Sequence, residues 1–422
     1  MQVFATFIFS WTLIAFLAQT GEPPGSIEAK PVRLEMADGV ASTANSLSLR
    51  GVYFNPVQGN DSELPWLLRY PEYQSQIRTA LREMVSHTGL NFVAVYLLMP
   101  HSLAAPKTAP RPGQPVEEWA NVAYLDNVAQ FIDDCHAAGV SAAFDMANNL
   151  WVPYSVDTAN HRIGVPDSPP GTDPWWPIAD ETPWDESITW YTEIIEYVEG
   201  RCRHPENIVW WCMGGNYSLG GAEPALWNND SLPEIKSSTE RFVKEVWPAF
   251  QKAGKRPKAA PYTFPIFSNN AYWMAKSPEE RISGIVNLKK WLVDELQLPP
   301  DYWPRTTYPF CDPAPDGFHY LQAIVEVVGK ANASRIVSTD FKGAGHEYEL
   351  KDCIIAAEGA SSTAILDWHF SKCRDYGFAG WWIWAYRDSP AHAWGIRRID
   401  GEWKVELVEV LRKQSTGSGN TY

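Results

Sequence analysis

The chain lacks the sequence patterns of proteins that bind nucleic acids or nucleotides. It contains no run of lysine and arginine, no zinc-type cysteine spacing and no glycine-rich phosphate loop. Its 422 residues include 35 Lys and Arg against 50 Asp and Glu, which gives a formal net charge of −15. A surface of this charge repels nucleic acid and anionic membranes. We therefore expect neither of them among the partners of the mature chain.

Cysteine is scarce, and no two cysteines form a C-x-x-C pair. Some cysteines could pair in an exported protein, but the sequence leaves their connectivity open. Cys212 and Cys311 are expected to be small core residues, because no histidine spacing points to a cysteine nucleophile. No metal or organic cofactor is implied. The six cysteines are Cys135, Cys202, Cys212, Cys311, Cys353 and Cys373.

Long apolar runs are also missing, except at the N-terminus. Residues 1–20 carry no charge, and a run of about fifteen apolar residues is short for a membrane span and typical of a secretory signal. We expect a signal peptide over 1–20 and a secreted or periplasmic protein, with an uncleaved anchor as the alternative. Residues 21–47 are interpreted as a linker and lead-in, and residues 413–422 as a disordered tail.

Aromatic residues, by contrast, are abundant: 21 Trp, 18 Tyr and 17 Phe. A large core accounts for part of them, although each buried indole N–H requires a hydrogen-bond partner. The remainder are candidates for stacking on flat ligands. Sugar rings present apolar C–H faces, so a carbohydrate is the expected substrate or ligand.

Short apolar runs alternate with amphipathic helical patterns across residues 48–412. Leu125, Val128 and Ile132, for example, share one helical face. Eight strands with intervening helices in a chain of this size predict an α/β fold, a single (β/α)₈ barrel with a long loop rich in Trp and Pro after strand 3. A doubly wound sheet would need a glycine-rich turn after the first strand, and residues 53–56 are not such a turn. The predicted strands are 49–54, 91–98, 140–147, 208–213, 258–264, 306–310, 335–341 and 379–386.

Functional residues of a (β/α)₈ barrel lie at the carboxyl ends of its strands. Asp145 is predicted to bind sugar hydroxyls or to cap the following loop, and Tyr308 to hydrogen-bond within the site or to pack in the core. Trp382 or Trp384 is expected to form a sugar platform, with only one of the two facing inward. The predicted substrate-binding residues are Tyr53, Asn55, Asp145, Asn148, Trp151, Tyr308, Trp382, Trp384 and Arg387.

Four phrases in order resemble the glycoside-hydrolase barrels of clan A. GLNFVAVYL (89–97) resembles the family's strand 2, and RHPENIVWWCMGGN (203–216) resembles the segment that runs into strand 4. RIVSTDF (335–341) and GFAGWWIWAY (377–386) resemble strands 7 and 8. The strand-4 phrase is most similar to apiosidase-like and cellulase-like glycosidases. The resemblance spans about residues 48–412 and implies a barrel that cleaves glycosides.

The resemblance also implies two catalytic carboxylates, one as nucleophile and one as general acid. By position the nucleophile is Asp340, whose side chain is one methylene shorter than the usual Glu. The acid position is occupied by Asn216, whose amide does not titrate and therefore cannot protonate a leaving group. Another carboxyl group could supply the proton; the candidates are Asp145, Asp312, Glu347, Glu349 and Asp388.

Three functions remain open at this point. The first is a secreted glycosidase with Asp340 as its key carboxylate. The second is a non-catalytic carbohydrate-binding barrel, which the amide at Asn216 favours. The third is a hydrolase or lyase that uses the barrel with a different acid and base. The sequence leaves the sugar, the linkage, the anomer and the oligomeric state open.

If residues 1–20 are a signal peptide, the secreted protein starts between Gln19 and Ile27, because cleavage follows the small residues near Ala18. N-terminal sequencing of the exported chain measures this directly. A secreted form that still begins with Met1 would contradict the prediction.

Overall fold

The computed structural model describes residues 49–57, 66–97, 115–146, 184–212, 240, 242–259, 283, 286–287, 289–297, 320–342, 362–388 and 394–415. The strands are β1 Leu49–Tyr53, β2 Phe92–Tyr96, β3 Ser141–Asp145, β4 Ile208–Cys212, β5 Lys258–Ala259, β6 Val337–Lys342 and β7 Gly380–Trp384. The α-helices are α1 Tyr70–Thr88, α2 Val116–Trp119, α3 Val122–Ala137, α4 Trp184–Arg201, α5 Trp247–Gln251, α6 Tyr320–Val328, α7 Lys330–Ala333, α8 Ser362–Asp375 and α9 Val405–Ser415. Short 3₁₀ turns cover Trp66–Arg69 and Pro205–Asn207, and π-helical turns cover Phe242–Val246 and Lys290–Glu295.

The described strands form one parallel sheet in the order β5-β4-β3-β2-β1-β7-β6. Helices lie between strands along the chain, so the fold is a (β/α)₈ barrel, as predicted. Seven of the eight predicted strands are confirmed. The remaining one, residues 306–310, lies outside the described residues. It falls in sequence between β5 and β6, the two strands at the open ends of this row.

The helices follow the predicted amphipathic patterns. Leu125, Val128 and Ile132 of α3 are fully buried, as expected. Asn121 caps this helix, since its side chain accepts a hydrogen bond from the Tyr124 N–H at 3.2 Å. Gly139 ends the connection to β3 with φ = 72°, a left-handed conformation that favours glycine.

Alternating strand residues divide the core into two parts. One set packs outward against the helices: Trp381 of β7 stacks on Phe370 of α8, with ring centroids 3.8 Å apart. The other set fills the inside of the barrel. The interior cluster consists of Leu49, Phe92, Ala94, Ala143, Val209, Trp210, Cys212, Val337 and Trp382.

Three aromatic rings form the centre of this interior cluster. Phe92 lies 5.3 Å from Trp210 and 5.7 Å from Trp382 between ring centroids, and the two indoles lie 6.2 Å apart. Trp384 lies on the same side of β7 as Trp382, one layer nearer the carboxyl end of the strand. The expectation that only one of these two tryptophans faces inward is therefore wrong, because residues two apart on a strand share a face.

Several core side chains satisfy the polar requirements of burial. The indole of Trp211 donates to the Glu199 carboxylate at 2.9 Å, and this carboxylate also accepts the Arg256 N–H at 3.2 Å.

The cysteines of the described part are all free thiols, and Cys212 is a buried core residue, as predicted. The other three are Cys135, Cys202 and Cys373.

Among the residues that the structure describes, no helix is both long enough and apolar enough to cross a bilayer.

The tight contact between β1 and β7 predicts opposite effects for two glycine substitutions. A Cβ at Gly380 would lie 2.2 Å from the Leu49 carbonyl oxygen, whereas a Cβ at Gly200 in α4 meets no atom within 4 Å. Gly380→Ala should lower the free energy of unfolding by about 1–3 kcal/mol or more. Gly200→Ala should raise it by roughly 0.5–1 kcal/mol, since alanine favours the helix.

Thermal or denaturant unfolding of both variants beside the wild type measures these changes. Equal stability of Gly380→Ala and the wild type would contradict the close strand contact.

Candidate functional site at the carboxyl end of the barrel

Two aromatic side chains meet where β1 and β7 end. The rings of Tyr53 and Trp384 stack with their centroids 4.1 Å apart and their planes 6° apart. Tyr53 is buried, while Trp384 is only partly buried. The stack lies above the Phe92, Trp210 and Trp382 layer, so it forms an aromatic surface on a rigid base at the mouth.

Asn55 ties the segment after β1 to the segment after β7. Its amide Nδ2 donates to the Arg387 carbonyl at 3.1 Å, and its Oδ1 accepts the Arg387 N–H at 2.9 Å. Asn55 is buried, so these two bonds satisfy both ends of its amide. In the described structure Asn55 therefore positions the backbone that carries Arg387.

A second set of contacts holds the segment after β7. The Asp388 carboxylate accepts the Gly395 N–H at 2.7 Å and pairs with the Lys404 ammonium at 2.8 Å. Both side chains of the ion pair are mostly buried. Asp388 thus stabilises the loop.

Burial affects the pKa of Arg387, the residue whose backbone Asn55 holds. Desolvation, followed by the nearby Arg397 cation, lowers the pKa of the Arg387 guanidinium from its ordinary value. The ordinary pKa of an arginine side chain lies far above neutral pH, so Arg387 keeps its charge. Arg387 is therefore a partly desolvated cation on a backbone fixed by Asn55.

Asp145 is the last residue of β3 and is 2% exposed. Ala143, two residues earlier, belongs to the interior cluster, so the two side chains share the inner face of the strand. Asp145 pairs in register with Tyr96 of β2 and Cys212 of β4. Its carboxyl group is therefore placed inside the barrel at the level where β4 ends.

The backbone of Asp340 lies in the second half of β6, next to a register shift. Ser338 pairs with Trp381 and Phe341 pairs with Ile383, so two residues of β6 oppose the single residue Trp382 of β7. Such an extra residue locally redirects a strand. The Asp340 side chain lies outside the described part of the structure. Four further predicted site residues also lie outside it: Asn148, Trp151, Asn216 and Tyr308.

The structure thus brings some of the predicted site residues together. Tyr53 contacts Trp384, Asn55 contacts Arg387, and Asp145 lies on the inner face of β3. Trp382 is buried in the layer below this surface rather than on it. Phe92 and Trp210 complete that layer. The sequence did not reveal their role. Ile208–Cys212 contains two adjacent tryptophans, Trp210 and Trp211, and nothing in the sequence shows which of them faces inward.

No protein-family model and no curated protein matches the sequence. Solved structures do match the fold. An exo-β-1,4-mannosidase from Opitutaceae bacterium strain TAV5 has a TM-score of 0.52 and 15% sequence identity, with 88% of this chain and 59% of the mannosidase covered. A GH5_18 protein from Bifidobacterium longum subsp. infantis has a TM-score of 0.51 and 11% identity, with 87% and 78% covered.

This chain therefore spans less than two thirds of the length of the mannosidase. Both structures agree with the resemblance inferred from the strand phrases, and at these identities the agreement concerns the fold. The chain has the (β/α)₈-barrel fold that glycoside hydrolases of clan A share.

Proposed function

We propose that this protein is a secreted glycoside hydrolase that cleaves a polysaccharide or glycoside at the carboxyl end of the barrel. The stacked pair Tyr53 and Trp384 is the observation that carries the proposal. A partly exposed indole on a rigid base is suited to the apolar face of a sugar ring. β6, which contains Asp340, is the direct neighbour of the strand that ends in Trp384.

Asp340 is the proposed key carboxylate. Lys342 pairs in register with Trp384, so the backbone of Asp340 lies within two residues of the level of the aromatic surface. A sugar stacked there would present its anomeric carbon near the end of β6. The shorter side chain of aspartate, compared with glutamate, leaves more space between the carboxylate and this carbon and favours attack by water over direct attack.

Asp145 is the proposed general acid in place of Asn216. Three strands separate β3 from β6 in the sheet order, so the two strands are opposite each other in a barrel of eight. Carboxyl groups that face each other across a cleft suit the inverting mechanism, in which they lie about 6.5–9.5 Å apart with room for a water molecule.

A non-catalytic carbohydrate-binding barrel is the second candidate. The amide of Asn216 favours it, since the residue holds the position of the acid in the related barrels and cannot donate a proton in catalysis. The same aromatic surface would then bind sugar without cleaving it. Export is part of both proposals and rests on the uncharged apolar leader, residues 1–20.

Replacement of Asp340 by asparagine tests the key carboxylate. Asparagine has nearly the same size, so Asp340→Asn should abolish hydrolysis while folding and sugar binding persist. The matched control is Asp367→Asn on α8, where the carboxylate pairs with Lys413 at 2.7 Å on the outside of the barrel. Turnover of aryl glycosides, found in an initial substrate screen, and glycan binding are measured on both variants.

Unchanged turnover in Asp340→Asn would refute the assignment of Asp340. A wild-type protein that binds glycans but hydrolyses no glycoside would favour the binding barrel.

The position of the general acid is tested by two variants and two leaving groups. Asp145→Asn should slow hydrolysis of alkyl glycosides, whose leaving groups need protonation, by about 10²–10⁴-fold. Nitrophenyl glycosides need little protonation, so their hydrolysis should fall much less. Asn216→Glu should lower both rates, because it adds a negative charge at the position that the resemblance places opposite the proposed key carboxylate.

If Asn216→Glu instead raises activity on alkyl glycosides, the site is a decayed glycosidase with its acid position at residue 216. Equal losses on both substrates in Asp145→Asn would assign Asp145 to sugar binding instead of proton transfer.

A further inference from the structure

Three side chains with metal-binding atoms converge at the end of the barrel opposite the mouth. His136 lies in the last turn of α3, and His204 and Glu206 lie in the connection between α4 and β4. Their potential ligand atoms all lie within 4.8 Å of one another. The imidazole rings stack with centroids 3.8 Å apart, and His204 Nδ1 lies 3.2 Å from Glu206 Oε1.

Buried hydrogen bonds fix the backbone that carries this cluster. The Asp133 carboxylate accepts the N–H groups of Arg203 at 2.9 Å and His204 at 3.0 Å. The Asn207 side chain donates to the Val140 carbonyl at 2.8 Å. Asp133 and Asn207 are both buried. The loop with His204 and Glu206 is thus attached to the end of α3 before any ion binds, which reduces the ordering cost of a site there.

We propose that His136, His204 and Glu206 bind one Zn²⁺ ion. Two imidazoles and one carboxylate match the ligand types of zinc, and a water molecule would complete a tetrahedral set. Copper and nickel accept similar ligands, and the proposal commits to zinc because two imidazoles, one carboxylate and one water molecule form a common four-coordinate zinc site.

Binding requires a small rearrangement of the three side chains. Zinc–ligand distances of about 2.0–2.2 Å place two ligand atoms of one tetrahedral ion roughly 3.3–3.6 Å apart. The widest separation in the cluster, at most 4.8 Å, must therefore shorten by up to about 1.2–1.5 Å. The rings must also tilt out of their parallel stack, because the lone pair of a ring nitrogen lies in the plane of the ring. His136 and His204 are partly exposed and Glu206 is exposed, so rotation of the side chains is sufficient.

The position of the cluster indicates a stabilising role. It joins the α3–β3 connection to the α4–β4 connection at the amino-terminal face of the barrel, a face whose residues act in stability rather than catalysis. An ion that binds only the folded chain raises the free energy of unfolding. Zinc should therefore raise the Tm and leave glycoside turnover unchanged.

Calorimetric titration of the purified, chelator-treated chain with ZnCl₂ tests the proposal, together with Tm and the visible spectrum of the Co²⁺-loaded protein. We expect one Zn²⁺ per chain at this site, a higher Tm with zinc and a tetrahedral cobalt spectrum. His136→Gln and His204→Gln should each weaken zinc binding by at least about 10–100-fold, the loss seen when even an outer partner of a ligand is removed.

His87→Gln is the matched control. His87 also lies in the last turn of a helix before a strand, but its ring stacks on Trp403, with centroids 4.8 Å apart. This variant should bind zinc as the wild type does. Glu206→Gln changes an exposed side chain and should keep the fold, so its loss of the cobalt spectrum remains informative if a histidine variant is unstable.

Zinc binding that survives in all three cluster variants, or a wild-type chain whose Tm does not respond to zinc, would overturn the proposal.

Discussion

The barrel depends on the aromatic layer formed by Phe92, Trp210 and Trp382. These rings come from three separate strands and fill the space inside the sheet. Their size also explains why glycine is needed nearby, since a Cβ at Gly51 would lie 2.1 Å from the Phe92 ring. Close packing of this kind tolerates little change in volume.

The layer also determines where the functional surface lies. Trp384 and Tyr53 stack directly above it, and the segment after β7 is held by the Asn55 amide and by the ion pair of Asp388 with Lys404. A binding surface supported by packed rings and buried hydrogen bonds keeps its geometry without ligand. In the proposed function, one set of residues stabilises the barrel and a second set, one layer higher, recognises the sugar.

The two ends of the barrel have separate tasks in the function proposed above. The carboxyl end carries the Tyr53 and Trp384 rings and the Asp145 carboxyl group, while the amino end carries the His136, His204 and Glu206 cluster. Because the strands between them are packed and buried, an ion at the lower end would stabilise the scaffold without entering the chemistry. In the proposed glycosidase, Asn216 holds the position that the resemblance assigns to the acid, and its amide requires the proton to come from another residue.

The sequence alone predicted much of this protein, because strand and helix patterns depend on local hydrophobic periodicity. Seven of the eight predicted strands, the buried face of α3 and the order of the barrel follow from that pattern. Residues at strand ends could also be identified, since the carboxyl ends of barrel strands lie at one face. The stacking of Tyr53 on Trp384 could not, because 331 positions separate them along the chain.

Only the tertiary structure decided which side chains meet. Both Trp382 and Trp384 face inward, and the Asn55 amide hydrogen-bonds to the backbone of Arg387. The His136 ring, at the end of one helix, stacks on the His204 ring in another connection. The physical reason is that such contacts depend on strand register, barrel closure and loop anchoring. These properties arise from the packing of the whole chain, whereas the periodicity of apolar residues is a property of each segment's own sequence.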